Sequence, residues 1–422
     1  MSNPLLVGID PHRRTNTVCL MDGHGRELGR RFTVDNNRPG AETFVQSVTK
    51  AVEAGSFDRI EIASEATGWY WFLFFQTLSQ HPVLNHWPLH LYPFNPRLTA
   101  KFKETYADDD HTDPYDAFVI ADRLRMGRDL PAPFRPDDTY LPIRFLTRYR
   151  YHVVHNLARE KAYCLSILYL KASEYTRQDG DKPHQDQRPF SNVFGAASRA
   201  VIQEFASIEE VAALPFEELV AFIDAKGKGR FADPSENARR LQRVARDSYH
   251  LPEALQAPIQ LILKLSLQQI AALEQQEKRL DTAITALMAT IPHTLDTIPG
   301  FGPVFSAGII SEIGDLSRFH GDVQAQVAKL AGFKWRKRQS GDFESEDTEL
   351  TRARNRYLRY YFCEAANAVR MRDAEYAAYY ERKYDEVRKH QHKRAIVLTA
   401  RKLVRLVVRL LTSNQPYQPR RR

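Results

Sequence analysis

The stretch LLVGID at residues 5–10 decides the fold of the first third of the chain, because it is an apolar strand pattern that ends on a carboxylate, Asp10. A second apolar run, IEIASE at residues 60–65, ends on Glu65, and Asp113 and Asp116 stand three apart at the start of a helical pattern. Carboxylates at two strand ends and an i, i+3 pair on one helix face can converge on a single divalent-ion site. The pattern therefore predicts phosphodiester chemistry.

The surrounding periodicity predicts a mixed α/β domain. The predicted strands are 5–10, 16–22, 26–34, 59–64 and 88–93, and the predicted helices are 40–54, 69–80, 96–104 and 114–127. In this order a three-stranded meander precedes crossover helices. It is the order expected of an RNase H-like (RuvC-like) fold.

The remainder of the chain is predicted to be helical. A proline-rich linker at 131–136 precedes a long helix at 141–176, a polar loop at 177–190 and shorter helices over 191–250. The predicted domains are the α/β domain at 1–130, a helical connector at 131–250, a coiled coil at 251–290, a mainly α domain at 291–387, and a basic helix and tail at 388–422.

The coiled-coil prediction rests on an alternating four-then-three spacing. Its positions are Ile259, Leu263, Ser266, Ile270, Leu273, Glu277, Leu280, Ile284 and Leu287. This heptad seam indicates either a dimerising coiled coil or a long helix that packs within its own domain. A homodimer or higher homo-oligomer is the expectation under the first interpretation.

Composition narrows the class of protein. No apolar stretch approaches the about 20 residues that span a bilayer, and the N-terminus lacks the pattern of a signal peptide. The three cysteines are widely spaced, so neither a disulfide framework nor a zinc site is indicated. A reducing cytoplasm is the expected compartment.

The charge of the chain is concentrated at its C-terminal end. The formal net charge is +8, and residues 388–422 contain eleven Lys or Arg and no acid. Such a block favours a polyanion, usually nucleic acid. Arg401, Arg405 and Arg409 recur every four residues among leucines and valines, which predicts a helix with one basic and one apolar face. A helix that lies on a membrane surface has the same pattern, so charge alone does not decide between them.

Two alternative interpretations of the carboxylates need weighing. Asp113 could be a helix N-cap with Pro114 at N1 and Asp116 at N3, a purely structural role. Actin-like ATPases also begin with a strand that ends in Asp, but their hairpin needs glycine and small hydroxyl residues, and here the turn is PHRR at 11–14. Since Asp10 and Glu65 lie at strand ends in the same domain, a site for Mg²⁺ or Mn²⁺ is the preferred hypothesis.

A second informative region begins at residue 298. The turn PGFG at 299–302 precedes a helix and can present backbone N–H groups to a phosphate. Ser340 follows a basic run and precedes Gly341, so cations could hold a phosphate while the hydroxyl attacks it. The candidate nucleic-acid-binding residues are Arg336, Lys337, Arg338, Arg352, Arg354, Arg356, Arg359, Arg401 and Arg405.

Six short blocks together carry a family resemblance. They are VGID (7–10), EATGWY (65–70), TDPYDA (112–117), PGFG (299–302), QSG (339–341) and NRYLR (355–359). In this order they resemble the DEDD transposases of bacterial insertion sequences. Two departures are Arg354, where the family often has glycine, and the acidic stretch at 342–348.

The resemblance implies a recombinase with a RuvC-like domain, a coiled coil and a separate transposase domain. It implies that Asp10, Glu65, Asp113 and Asp116 hold a metal and that Ser340 forms a covalent link to DNA. It also implies guidance by a structured bridge RNA that pairs with donor and target DNA. The rival hypotheses are a hydrolytic nuclease such as a junction resolvase, which would not need Ser340, and a non-catalytic nucleic-acid-binding protein.

Overall fold

The computed structural model describes residues 3–106, 112–128, 130–177, 188–335, 339–340, 343–344, 350 and 354–419. The chain forms two compact units, Met1–Asp138 and Thr139–Arg422. The predicted subdivision of residues 131–422 stays a prediction.

The first unit is built on a five-stranded sheet with the order β3-β2-β1-β4-β5. Its strands are β1 (Pro4–Pro11), β2 (Thr15–Met21), β3 (Phe32–Asp35), β4 (Arg59–Glu65) and β5 (Leu89–Phe94). The first three strands pair antiparallel, and β4 and β5 continue the sheet in parallel with β1. This confirms the RNase H-like topology. The third strand is shorter than the predicted 26–34, since only Phe32–Asp35 pairs along β2 and Glu27 makes an isolated bridge to Met21.

The helices of this unit cover both faces of the sheet. They are α1 (Arg38–Gly55), α2 (Phe72–Ser79), α3 (Pro96–Lys103) and α4 (Asp113–Met126). One core packs α1 and α2 on Leu5, Val7 and Ile9 of β1, and the other packs α4 on the opposite face, against Leu6. Since successive strand residues point to opposite faces, β1 is buried on both sides from Leu5 to Ile9, and Asp10 is only partly buried.

The second unit is mainly helical. Its helices are α5 (Leu141–Lys171), α6 (Ala196–Glu204), α7 (Ile208–Ala213), α8 (Phe216–Gly227), α9 (Pro234–Asp247), α10 (Glu253–Met288), α11 (Pro303–Ile313), α12 (Val323–Leu330), α13 (Arg356–Arg370), α14 (Ala374–Asp385) and α15 (Gln391–Ser413). Two short strands, β6 (Gln339–Ser340) and β7 (Phe343–Glu344), pair antiparallel between α12 and α13. One core joins α5 to α6–α9 and the first part of α10, and the other joins the end of α10 to α11–α15.

The heptad seam of α10 is buried inside this chain, where α10 runs antiparallel to α5. Its two polar positions have partners on α5: Ser266 Oγ donates to Glu160 Oε1 at 2.6 Å, and Arg150 donates to Glu277 Oε1 at 2.8 Å. Ile270 and Leu263 are fully buried. These contacts agree with the second interpretation of the heptad spacing, in which a long helix packs within its own domain.

The apolar face of α15 is also buried in the core of the second unit, including Leu403, Val404 and Val407. A helix used in this way has no apolar face left for a lipid surface. Across the described residues, each helix is too short or too polar to cross a bilayer.

Candidate functional site

The four predicted carboxylates all lie in the first unit, at one edge of its sheet. Ile9 of β1 is level with Ser64 of β4, so Asp10 and Glu65 follow this pair at the carboxyl ends of two adjacent parallel strands. Asp113 and Asp116 lie in the first turn of α4. Their negative charges are favourable there, because the N-terminal end of a helix carries a partial positive charge.

Gly8 allows α4 to approach β1 closely, and this brings the carboxylates of α4 to the end of the strand. A Cβ atom at this position would lie 2.1 Å from the Ala117 carbonyl oxygen and 2.5 Å from the Ala121 backbone nitrogen. Any larger residue must therefore push α4 away from the sheet. This close approach explains the glycine in the sequence block VGID, and the sequence alone does not reveal it.

We expect Gly8→Ala to displace α4, destabilise the first unit by about 1–3 kcal/mol and weaken divalent-cation binding, because Asp113 and Asp116 move with the helix. Thermal unfolding and titration with Mn²⁺ would measure the two effects. The matched control is Gly23→Ala, since a Cβ there meets only the Pro4 Cδ atom at 3.8 Å. Unchanged cation affinity in the Gly8 variant would contradict this role of the close approach.

Contacts and electrostatics show that the four carboxylates form one cluster. Burial is the main cause that raises the pKa of Asp10 to about 6, and the charges of Asp116 and Asp113 raise it further, against the lowering effect of His12. Burial also raises the pKa of Glu65, followed by the charge of Asp10. Carboxylates raise each other's pKa in this way when they share a site.

His12 is a member of the cluster that the sequence reasoning missed. Its Nε2 atom lies 3.1 Å from Asp10 Oδ2 and 3.2 Å from Asp113 Oδ2. One ligand atom from each of Asp10, His12 and Asp113 lies within 4.8 Å of the other two, as the ligands of one metal ion would. The basic turn at 11–14 was the only available indication, and it does not tell which side chain points inward.

Lys103 of α3 is a second unpredicted member, and it forms an ion pair with Asp116 Oδ1. Thr67 Oγ1 donates to Glu65 Oε2 at 3.4 Å. Both contacts hold carboxylate oxygens in place at the edge of the sheet.

The structure contradicts the capping interpretation of Asp113. Thr112 is the N-cap residue of α4 and makes no side-chain capping bond, while Asp113 is the first helical residue and contacts His12. The Asp113 carboxylate is therefore available to the cluster rather than used to cap the helix. The sequence placed the helix start one residue too late.

Ser340 lies in the second unit, in β6, where its backbone pairs with Phe343 of β7. The preceding cations Arg336, Lys337 and Arg338, and also Arg352, lie outside the described residues. Among the other predicted nucleic-acid-binding residues, Arg354, Arg356 and Arg405 are exposed. They remain candidates for contact with nucleic acid.

Arg359 and Arg401 support the segment that leads into the β6–β7 hairpin. Arg359 Nη1 donates to the Gly332 carbonyl oxygen at 2.9 Å, and Arg401 donates to the Phe333 carbonyl oxygen. The Arg401 guanidinium also lies 5.1 Å from the ring centroid of Trp335. Both arginines thus have a structural use, and nucleic-acid contact by them stays a prediction.

The PGFG turn packs against α13. Gly300 has φ +86°, which is left-handed, and a Cβ there would lie 2.8 Å from the Ala368 carbonyl oxygen. Both the conformation and the close approach require glycine at this position. Phosphate contact by the turn stays a prediction.

Comparison with known proteins finds transposases at both ends of the chain. Residues 7–171 match a model described as a transposase, the DEDD type of IS110, and residues 292–381 match the transposase of the IS116/IS110/IS902 family. The 44.8 kDa protein of insertion element IS116 from Streptomyces clavuligerus is 24% identical over 76% of each chain. The 42 kDa protein of insertion element IS900 from Mycobacterium paratuberculosis is 25% identical over 75% of each chain. Among solved structures, T. thermophilus RuvC in complex with a Holliday junction substrate covers 32% of this chain and 100% of its own, with 11% identity and a TM-score of 0.23.

Proposed function

Since the chain belongs to the IS116/IS110/IS902 family of transposases, we propose that it breaks and rejoins DNA strands with a metal-binding carboxylate tetrad and a serine nucleophile. It is an enzyme of DNA transposition. The observation that carries the proposal is the convergence of Asp10 and Glu65 from two strand ends with Asp113 and Asp116 from one helix turn.

The carboxylates fit a divalent cation. Their oxygens are hard donors of the kind that Mg²⁺ and Mn²⁺ prefer. Burial, and after it the like charges of the tetrad, disfavour ionisation of Asp10 and Glu65, so a cation among them would stabilise the ionised forms. When bound, it would polarise the scissile phosphate and stabilise the charge that develops on it. Asp10, Glu65, Asp113 and Asp116 would hold it, and Lys103 would neutralise the remaining charge on Asp116.

In the proposed reaction Ser340 forms the covalent link. Its Oγ atom bonds to the phosphorus, the bond from phosphorus to one sugar oxygen breaks, and the serine proton ends on that sugar oxygen. A sugar hydroxyl of a second strand then attacks the phosphoserine, which restores the serine and joins the strands. No net hydrolysis occurs, and this distinguishes the reaction from that of a nuclease.

The proposed partners are donor DNA, target DNA and a structured bridge RNA that pairs with both, and the proposed location is the bacterial cytoplasm at the nucleoid. The RNA proposal depends on the family resemblance of the six sequence blocks. A homo-oligomer is also proposed, but the heptad seam is not its expected contact, because α5 of the same chain covers it.

The test is Ser340→Ala, which should abolish covalent protein–DNA product and strand transfer because the attacking oxygen is removed. The product is measured as a labelled DNA strand that migrates with the denatured protein. The matched control is Ser191→Ala, an exposed loop serine outside the hairpin. A covalent product that persists in the Ser340 variant overturns the serine assignment, and metal-dependent cleavage that is indifferent to Ser340 favours the hydrolytic nuclease.

A further inference from the structure

A large basic groove lies in the second unit, between α14, α15 and the segment that follows α15. It encloses about 1140 Å³. Five cations line it, Arg382 from α14 and Arg401, Lys402, Arg405 and Arg409 from α15. Of the residues that the structure describes, none from the carboxylate cluster or from β6 and β7 lines the groove.

The groove follows from how α15 packs. Arg401, Arg405 and Arg409 recur every four residues, so they share one face of the helix. The opposite face, with Leu403 and Val407, is buried in the core. The arginine face is therefore fixed toward the groove and cannot rotate away.

The segment after α15 closes one end of the groove and is anchored at two points. The Tyr417 backbone nitrogen donates to Thr297 Oγ1 at 2.8 Å, and the Tyr417 hydroxyl donates to Asp373 Oδ2 at 2.7 Å. Asp373 also caps α14 by accepting from the backbone nitrogens of Glu375 and Tyr376. Hydrogen bonds within the fold therefore define this end of the groove.

The cations of the groove outnumber its acids by three. The acids are Asp373, which has the bonds just described, and Glu375, which pairs with Lys402 Nζ at 2.8 Å. Among the described residues no carboxylate pairs with Arg382, Arg405 or Arg409. A concave surface with uncompensated positive charge attracts a polyanion.

An aromatic ring stands among these cations. The Tyr379 ring centroid lies 4.8 Å from Lys402 Nζ, 5.3 Å from the Arg382 guanidinium carbon and 5.8 Å from Lys383 Nζ. Aromatic rings interleaved with cations in a groove are typical of single-strand binding, where bases stack and phosphates pair. The volume also exceeds the about 1,000 Å³ at the upper end of small-molecule pockets, which suits a segment of a polymer.

We propose that this groove binds a single-stranded segment of nucleic acid, with phosphates on Arg382, Arg405 and Arg409 and a base on Tyr379. The inference rests on the proposed function only in its choice of nucleic acid as the polyanion. The groove is a binding site separate from the chemistry, and its loss leaves the carboxylate tetrad unchanged.

The test measures binding of the full chain to three labelled 20-nucleotide probes of mixed sequence: single-stranded RNA, single-stranded DNA and duplex DNA. The buffer contains EDTA, so no strand is cut. Arg405→Glu combined with Arg409→Glu should weaken single-strand binding about tenfold or more, because two phosphate contacts are lost. For the same reason, the slope of the logarithm of the binding constant against the logarithm of the salt concentration should become shallower by about 1.4. The matched control is Arg388→Glu with Lys389→Glu, an equal charge change at exposed residues outside the groove.

A second pair of variants tests the ring. Tyr379→Leu should weaken single-strand binding about tenfold, while Tyr379→Phe should bind as the unchanged protein does, since stacking needs the ring and not the hydroxyl. Circular dichroism confirms that each variant is folded. A loss confined to the RNA probe identifies an RNA occupant, and a loss confined to single-stranded DNA identifies a displaced DNA strand.

The proposal is overturned if the groove and control variants weaken binding equally, or if only the duplex probe is affected. In EDTA this assay measures binding alone, without strand breakage. A failure of the proposed chemistry would therefore appear in strand breakage and transfer alone, whereas a failure of the groove proposal appears here.

Discussion

An Asp10→Asn variant is expected to lose metal-dependent DNA strand breakage by at least about a thousandfold, while its fold stays intact. Asparagine has the shape of aspartate but lacks the charge that a divalent cation needs. Asp10 lies at the end of β1, where it shares the cluster with Glu65, Asp113 and Asp116. The substitution therefore removes one carboxylate from the site to which β1, β4 and α4 all contribute.

The same substitution should leave the metal-free protein at least as stable as before, and this separates a catalytic loss from unfolding. Burial and neighbouring carboxylates raise the pKa of Asp10 from 3.8 to about 6. The folded state therefore disfavours the ionised form, and stability is lost as pH rises through this interval. Because asparagine does not ionise, the Tm of the variant relative to the unchanged protein should increase between pH 3.8 and about 6. Thermal scans in EDTA measure this difference.

The control for charge is Glu53→Gln, at an exposed position of α1 in the same unit. It should leave both strand breakage and the pH dependence of Tm unchanged. Strand breakage at the normal rate in the Asp10 variant would contradict the catalytic role of the tetrad. That result would favour the hypothesis of a non-catalytic nucleic-acid-binding protein.

The second large effect is expected from Glu312→Ala, which should destabilise the second unit by about 3–5 kcal/mol. The Glu312 side chain is 1% exposed and accepts two bonds from the Arg148 guanidinium, at 2.6 and 2.9 Å. It also accepts from Asn355 Nδ2 at 2.7 Å. Truncation leaves the positive charge of Arg148, whose side chain is 30% exposed, without its carboxylate partner. Chemical denaturation followed by the helical signal measures the loss.

A functional loss should accompany the change in stability. Asn355 is the N-cap of α13, where its Oδ1 accepts from the backbone nitrogens of Tyr357 and Leu358, both at 3.0 Å. Its backbone nitrogen also donates to the Leu330 carbonyl oxygen at 2.8 Å. The Glu312 network therefore fixes the residues on both sides of the β6–β7 hairpin that carries Ser340. We expect covalent DNA product to fall even at temperatures where the variant is folded.

The double variant Glu312→Leu with Arg148→Met is the control for this network. It removes both charges and replaces them with apolar side chains, so much of the lost stability should return. If the double variant is as unstable as Glu312→Ala, an unpaired charge is not the cause of the destabilisation. A single variant that unfolds like the unchanged protein would contradict the role of the network itself.

The sequence was sufficient for the order of elements in the first unit, since apolar runs, turn residues and helical periodicity are local properties. It was also sufficient to name the four carboxylates as candidates, because each stands at an element end that its own neighbours define. It did not resolve the heptad seam of α10. The same spacing serves a dimer or an internal contact, and the choice depends on α5, about a hundred residues earlier in the chain.

The sequence by itself determined the succession of strands and helices in the first unit and the placement of Asp10 and Glu65 at strand ends, because strand ends follow from the hydrophobic pattern. That these two strands are neighbours in the sheet was decided by the tertiary structure. Only the tertiary structure decided which side chains join them. Gly8 lets α4 cross β1 at van der Waals contact, and so brings in Asp113 and Asp116. His12 and Lys103 enter the cluster through contacts between elements. The physical reason is that such contacts depend on the shapes of two packed surfaces, which a local pattern does not encode.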